Sequence, residues 1–304
     1  MRGLILAGGT GTPTSPGRPA PHPLVPVFDK PLIYYPLATL MLAGIREVLV
    51  VAPPSHVTAL HHLLGDGAHL GMAVHHRADP HPRGAAHAFT VASAFTTGHP
   101  VALALGDTLL HGPALAPVLT RLTAVRGAQV LAHRSRTPGE FGVVELDRDG
   151  HVLAVEDEPG HPRGDHAVPG LAFYDATVTD AATGLRPRPD GTRTATDLHR
   201  AYLGRGDLHA TRLGPGTAWL DTGRADSPAD AAEFVRTVEM RQGHKVGCLE
   251  EIAWRQGWID DAALADRARD AGRTGYGQYL RLLTGHPRDL TLLEPAPPRR
   301  TAAR

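Results

Sequence analysis

The sequence predicts an α/β fold: a mostly parallel central sheet wrapped by helices, with an antiparallel insertion and a C-terminal helical subdomain. Three observations predict it. Short apolar runs alternate with helical runs through the first half, the pattern shifts to short strands and turns around 141–155, and helical spacing takes over after 228.

Residues 3–7 (GLILA) form an apolar run that ends at Gly8-Gly9, as expected of a buried strand feeding a glycine loop. Residues 32–44 (LIYYPLATLMLAG) read as a helix closing on glycine, and EVLVVA at 47–52 as a second buried strand, so the chain opens βαβ. Further strands are expected at 72–76, 101–105 and 129–133, with a helix at 85–96. FGVVELDRDGHVLAVE then reads as a hairpin turning at Asp149-Gly150. Apolar residues recur at helical spacing over 228–242 and 248–284, and the PAPPRRTAAR stretch within 287–304 reads as a disordered tail. The sequence contains no internal repeat.

At 304 residues and 42% hydrophobic content the chain can bury a substantial core. Lys+Arg and Asp+Glu both total 31, so net charge points to neither nucleic acid nor an anionic membrane. Cys248 is the one cysteine, which excludes an internal disulfide framework and suits a reducing cytosol. The N-terminal apolar run is too short for a signal-peptide core, and no stretch reaches the roughly 18 apolar residues of a membrane span; the expected location is cytoplasmic. Lys30 and Lys245 are the only lysines, against abundant Arg.

Two motifs carry chemistry. Leu6 to Thr12 (LAGGTGT) is a glycine loop in which Gly8, Gly9 and Gly11 allow close approach of backbone N–H groups to a phosphate. LALGDT at 103–108 places Asp107 at the carboxyl end of a buried strand, where α/β sheets bind ligands.

With VFDKPLIYYPL at 27–37, LMLAGIREVLVV at 40–51, LLGDG at 63–67, FGVVE at 141–145, AWLDTG at 218–223, CLEEIAWRQGW at 248–258 and TGYGQYL at 274–280, the chain resembles the glucose-1-phosphate thymidylyltransferase family collinearly to about residue 284. The resemblance implies a Rossmann-like nucleotidyltransferase domain over 1–227, with a sugar-site insertion at about 139–200 and an oligomerisation and regulatory region over 228–286. It implies a homotetramer, or a dimer, whose C-terminal helices help form a regulatory nucleotide site. In that family a sugar-1-phosphate oxygen attacks the α-phosphorus of dTTP and displaces pyrophosphate, with Mg²⁺ held by two aspartates that match Asp107 and Asp221. Paired carboxylates suit a hard divalent cation. Asp79, Arg83, Gly84, Gly142, Asp157, Glu158 and Gly170 fall at matched ligand positions.

The resemblance breaks where phosphate is handled. Pro13 stands at the position of the family's triphosphate-gripping arginine, His22 is nearest the place of a lysine, and Glu158 replaces the lysine that holds the sugar phosphate. The glutamine expected to pair with thymine falls at Asp79, which when ionised cannot donate. Arg83 takes a usually acidic position, Thr108 replaces the asparagine after the metal aspartate, and a GELEIT stretch reads Gly191 to Thr196 (GTRTAT). Losing one positioned donor costs roughly 10²–10³ in rate, so three losses remove on the order of 10⁵. The aligned changes shift the cleft by about three negative charges, which disfavours a triphosphate and prefers a neutral or cationic ligand. The expected function is a repurposed cleft, of the kind used in specialised metabolism, with Asp107 and Asp221 as acid and base. Residual Mg²⁺-dependent nucleotidylyl transfer, or a non-catalytic role beside an active paralogue, are the alternatives.

Overall fold

The computed structural model describes residues 1–8, 23–223 and 227–285. β1 (Arg2–Leu6) sits inside a ten-stranded sheet. A short hairpin, β2 (Pro26–Val27) with β3 (Lys30–Pro31), leads into α1 (Tyr34–Leu42), followed by β4 (Glu47–Ala52), α2 (Pro54–Leu64) and β5 (Ala73–Ala78). Two short helices, α3 (His87–Val91) and α4 (Ser93–Thr96), precede β6 (Val101–Leu105). The strands run β6-β1-β4-β5, all parallel, with Leu6 opposite both Leu105 and Val51. Their carboxyl ends therefore share one edge. β1, β4 and β6 are buried along nearly their whole length, which is why each reads as an unbroken apolar run.

Beyond β6 the sheet turns antiparallel. β7 (Thr108–His111), α5 (Leu115–Leu122), β8 (Ala128–Arg134), β9 (Gly142–Leu146), β10 (Val152–Asp157), β11 (His166–Ala167) and β12 (Leu171–Tyr174) follow in the chain. The order outward from β6 is β12-β8-β11-β9-β10. After α6 (Val178–Thr183) and α7 (Ala195–Gly204), β13 (Leu208–Arg212) joins β8 in parallel. β14 (Ala218–Asp221) pairs with β7 in a separate antiparallel ladder. The remaining helices are α8 (Ser227–Gln242), α9 (Leu249–Arg255), α10 (Asp261–Asp270) and α11 (Gly275–Leu283). α9 inserts Ile252, Ala253 and Trp254 into the core that β1, β4 and α1 also fill.

The α/β class and the parallel centre agree with the sequence expectation, and β4 and β6 match it residue for residue. The helix expected at 85–96 is instead broken at Ala92, which sits at φ −90° and ψ 6°. The Ala92 carbonyl is taken up by the Phe95 and Thr96 N–H groups and by the Thr96 hydroxyl. The helix α7 is missed by sequence reasoning, although Thr194 and Asp197 form a reciprocal capping box at its start. The tail at 287–304 lies outside the described residues, and no helix among those described is long and apolar enough to cross a membrane.

Candidate active site

Asp107 follows β6 at the edge where the parallel strands end. Its neighbour Gly106 makes that possible: the Gly106 N–H donates to Leu6 O at 2.9 Å, and a Cβ there would lie 2.9 Å from both Leu6 O and Ala7 Cα. Asp221 arrives from far along the chain, because the β7–β14 ladder pairs it with Thr108. Thr222, fully buried, then locks the two segments by donating both its N–H (2.9 Å) and its hydroxyl (2.8 Å) to the Asp107 carbonyl. The Asp221 Oδ1 accepts the Gly223 N–H at 2.7 Å.

Gly223 tests whether this pair can hold a cation. A Cβ built on it would lie 2.9 Å from Asp221 Oδ1 and 3.0 Å from Asp107 Oδ2, so carboxylate oxygens of both residues border one small space that only glycine leaves open. Burial, and then the adjacent Asp221 charge, pushes Asp107 well above the usual carboxylate range. Two hard oxygen donors sharing a space and a like-charge penalty are what a divalent cation relieves, so the residues fit one.

A cavity of about 220 Å³ opens from Asp107 between the parallel strands and the antiparallel wing. It brings together Gly8, Gly84, Asp107, Gly142, Asp157 and Gly170 from the residues expected by sequence. Gly142 O accepts the Val168 N–H at 2.7 Å, and Gly170 O accepts the Leu105 N–H at 2.7 Å, so both glycines tie β9 and β6 to the loops of the cavity wall. The Thr108 side chain is buried against Gly170. Asp157 is held on both oxygens, by Arg188 at 2.6 Å and by the Thr196 hydroxyl at 2.9 Å. Arg188 also grips Asp197 through Nε (2.8 Å) and Nη2 (2.9 Å). Sequence reasoning misses Arg188, and with it the ion pair that offsets part of the Asp157 charge.

The floor of the cavity includes Tyr174 and His199, whose Oη and Nε2 are 2.8 Å apart with the rings stacked at 6.0 Å. Both are missed by sequence reasoning. Burial lowers the His199 pKa to about 4, partly opposed by Asp157. A depressed folded pKa means stability is present above the ordinary histidine range and is lost as pH falls through it toward the folded value. Between about pH 7.5 and about pH 5 this single group is expected to remove ~2 kcal/mol. Urea melts of the parent and of His199→Gln at both pH values check this; an equal pH dependence in the two proteins would refute it.

The other expected residues lie apart from the cavity wall. Asp79, buried at the end of β5, donates its N–H to Ala52 O and accepts the His81 N–H on Oδ1 at 3.0 Å. Arg83 is exposed, its carbonyl accepting the Arg193 N–H. Glu158 is exposed as well, and holds an unusual φ of 43° while donating its N–H to Phe141 O. Gly9, Gly11, Pro13 and His22 lie outside the described residues. One further group, Asp147, Asp149 and His151, could approach a metal, but its contacts are those of a hairpin turn: Asp147 Oδ1 accepts the Asp149 and His151 N–H groups and Oδ2 faces His151 Nδ1.

The chain's relatives agree with this architecture. A family model described as nucleotidyl transferase matches residues 2–238. A glucose-1-phosphate thymidylyltransferase of Mycolicibacterium smegmatis is 47% identical over 92% of this chain and 98% of its own length, and one from Mycobacterium tuberculosis is 46% identical over the same shares. Among solved structures, a Bacillus anthracis protein assigned to the same activity and crystallised with sucrose superposes with a TM-score of 0.68 at 27% identity, covering 78% of this chain and 95% of that one. Parallel strands converging on a glycine turn, a carboxylate pair set by the β7–β14 ladder and identity of this extent lead to one assignment: the chain belongs to the nucleotidyl transferase family and is similar along most of its length to glucose-1-phosphate thymidylyltransferases.

Proposed function

We propose that the cleft binds a neutral or cationic small molecule of polyol character, that ordinary thymidylyl transfer is strongly impaired, and that Asp107 and Asp221 supply acid and base. The observation that carries this reading is the lack of a basic clamp: among the described residues the cavity wall holds no Lys or Arg, while Asp107 stands on it beside Asp221 and Asp157 is paired from behind by Arg188. Both lysines of the chain are committed elsewhere, bonded to Asp29 and Glu239. A triphosphate entering such a wall would meet repulsion without a clamp. A neutral hydroxylated ligand would instead find acceptor lone pairs on the Thr196 hydroxyl and the Asp157 carboxylate.

The chemistry then rests on the pair. Of two carboxyls sharing a buried space, one stays protonated and can donate while the other accepts, and Thr222 holds the Asp107 backbone so that the pair keeps its spacing. We take the protein to act in a reducing cytoplasm as a homo-oligomer assembled through its C-terminal helices.

A second reading is favoured by the space at Gly223. There, Asp107 and Asp221 would hold Mg²⁺ and the chain would retain nucleotidylyl transfer from a nucleoside triphosphate to a sugar 1-phosphate. When bound, the cation would offset charge on the transferring phosphoryl group. Pyrophosphate release from each common NTP with several hexose 1-phosphates separates the two. The first reading expects no release above that of an Asp107→Asn, Asp221→Asn double variant; release well above that background would overturn it in favour of the second.

A further inference from the structure

His199 is 3% exposed, lines the cavity and spends one ring nitrogen on the Tyr174 hydroxyl. Tyr174 is fully buried, and this is the one hydrogen bond its hydroxyl makes among the described residues. A buried phenol with a single partner donates to it, because donation from the imidazole would leave the phenolic proton without an acceptor. Nε2 therefore accepts. The ring, kept neutral by burial, carries its proton on Nδ1. That N–H has no hydrogen-bond partner among the described residues and, unlike the unpartnered His76 Nδ1 and His133 Nδ1, is not fully enclosed by protein. It thus faces open space, and the open space His199 lines is the cavity.

We propose that Tyr174 and His199 form a ligand-recognition dyad, in which Tyr174 sets the imidazole tautomer and His199 Nδ1–H donates to an uncharged acceptor oxygen, a hydroxyl or ring oxygen of a polyol, at the cavity floor. The surroundings suit that ligand class. Val155, Val168 and Leu171 supply apolar wall, and Thr196 and Asp157, bonded to each other, keep acceptor lone pairs for further hydroxyls. A single neutral donor among apolar side chains supplies no compensating positive charge for a phosphate, so the floor suits the uncharged part of a ligand. The proposal rests on the reading of the cleft as a site for neutral ligands.

The test uses the full chain with ¹⁵N-labelled histidine, long-range ¹H–¹⁵N correlation spectra and three probes: methyl α-D-glucopyranoside, glucosamine and glucose 1-phosphate. The His199 signals are assigned by their loss in His199→Phe or, if that variant does not fold, by their displacement in Tyr174→Phe. The expected result is an Nδ1–H tautomer in the free protein, an Nδ1 signal that moves on adding the methyl glucoside, and roughly tenfold weaker binding of it in Tyr174→Phe with an unchanged circular dichroism spectrum. An Nε2–H tautomer overturns the proposal, as does unchanged affinity in folded Tyr174→Phe. A probe that perturbs other residues but leaves His199 unmoved sinks the dyad alone. Failure of all three probes to bind removes the neutral-ligand reading of the cleft, and the dyad with it.

Discussion

Asp221→Asn is expected to lower Mn²⁺ affinity by at least about 100-fold while making the metal-free protein more stable. The first effect follows from geometry, because Asp221 Oδ1 and Asp107 Oδ2 border the same space at Gly223 and loss of one anionic donor leaves a single carboxylate. The second follows from electrostatics. Burial and the Asp221 charge both raise the Asp107 pKa, and a folded-state pKa above the unfolded one gives stability that is full at acid pH and lost as pH rises through the folded value. Removing the neighbouring charge returns part of that loss, ~1–2 kcal/mol at neutral pH and nothing at acid pH. The Gly223 N–H keeps an acceptor in the asparagine side chain, so the local turn survives. Titration of Mn²⁺ by electron paramagnetic resonance and thermal melts in chelator at two pH values measure both effects. Parent-like Mn²⁺ binding would take the cation away from this pair, and a lower melting temperature in chelator would contradict the like-charge penalty.

The two aspartates also mark the limit of what the sequence discloses. Asp107 is legible locally, since VALAL at 101–105 is buried and the residue that follows such a strand faces the ligand edge. Asp221 has no such signal: β14 is a four-residue strand of intermediate burial, and its place depends on pairing with β7 more than a hundred residues earlier in the chain. Only the family resemblance singles it out. The same distinction explains Arg188 and His199. Arg188 sits in a loop, and its role appears only when β10 brings Asp157 beside it. His199 reads as one polar residue in a mixed helix, and its inward orientation depends on Tyr174 at the end of β12. The acidic cleft deduced by adding aligned charges is therefore overstated at Asp157, where Arg188 already supplies the counter-charge, and is sharpest at Asp107.

Lys30→Met is expected to destabilise the fold by about 3–5 kcal/mol, the cost of breaking a buried ion pair from one side. The Lys30 side chain is 2% exposed and bonds Asp29 Oδ1 at 2.5 Å and Glu239 Oε1 at 2.8 Å, joining the β2–β3 hairpin to α8. Lys245 bonds the other oxygens of the same two acids, Glu239 Oε2 at 2.7 Å and Asp29 Oδ2, so the four charges balance. Without Lys30 one buried carboxylate charge is left over. Glu239→Gln added to Lys30→Met should recover part of the loss, and strict additivity of the two changes in urea melts would refute the charge argument. Lys30→Arg gives a second reading of the same cluster. Every other permanently cationic side chain of this chain is Arg, yet both lysines stand here, Lys30 5.5 Å from the Tyr35 ring and Lys245 near the rings of Phe28, Tyr276 and Tyr279 at 5.6–5.9 Å. A compact ammonium fits between two acids and a ring where a planar guanidinium does not. Charge-conserving Lys30→Arg is therefore expected to cost ~1–3 kcal/mol through overpacking, and a neutral effect would show that the cluster needs only a positive charge.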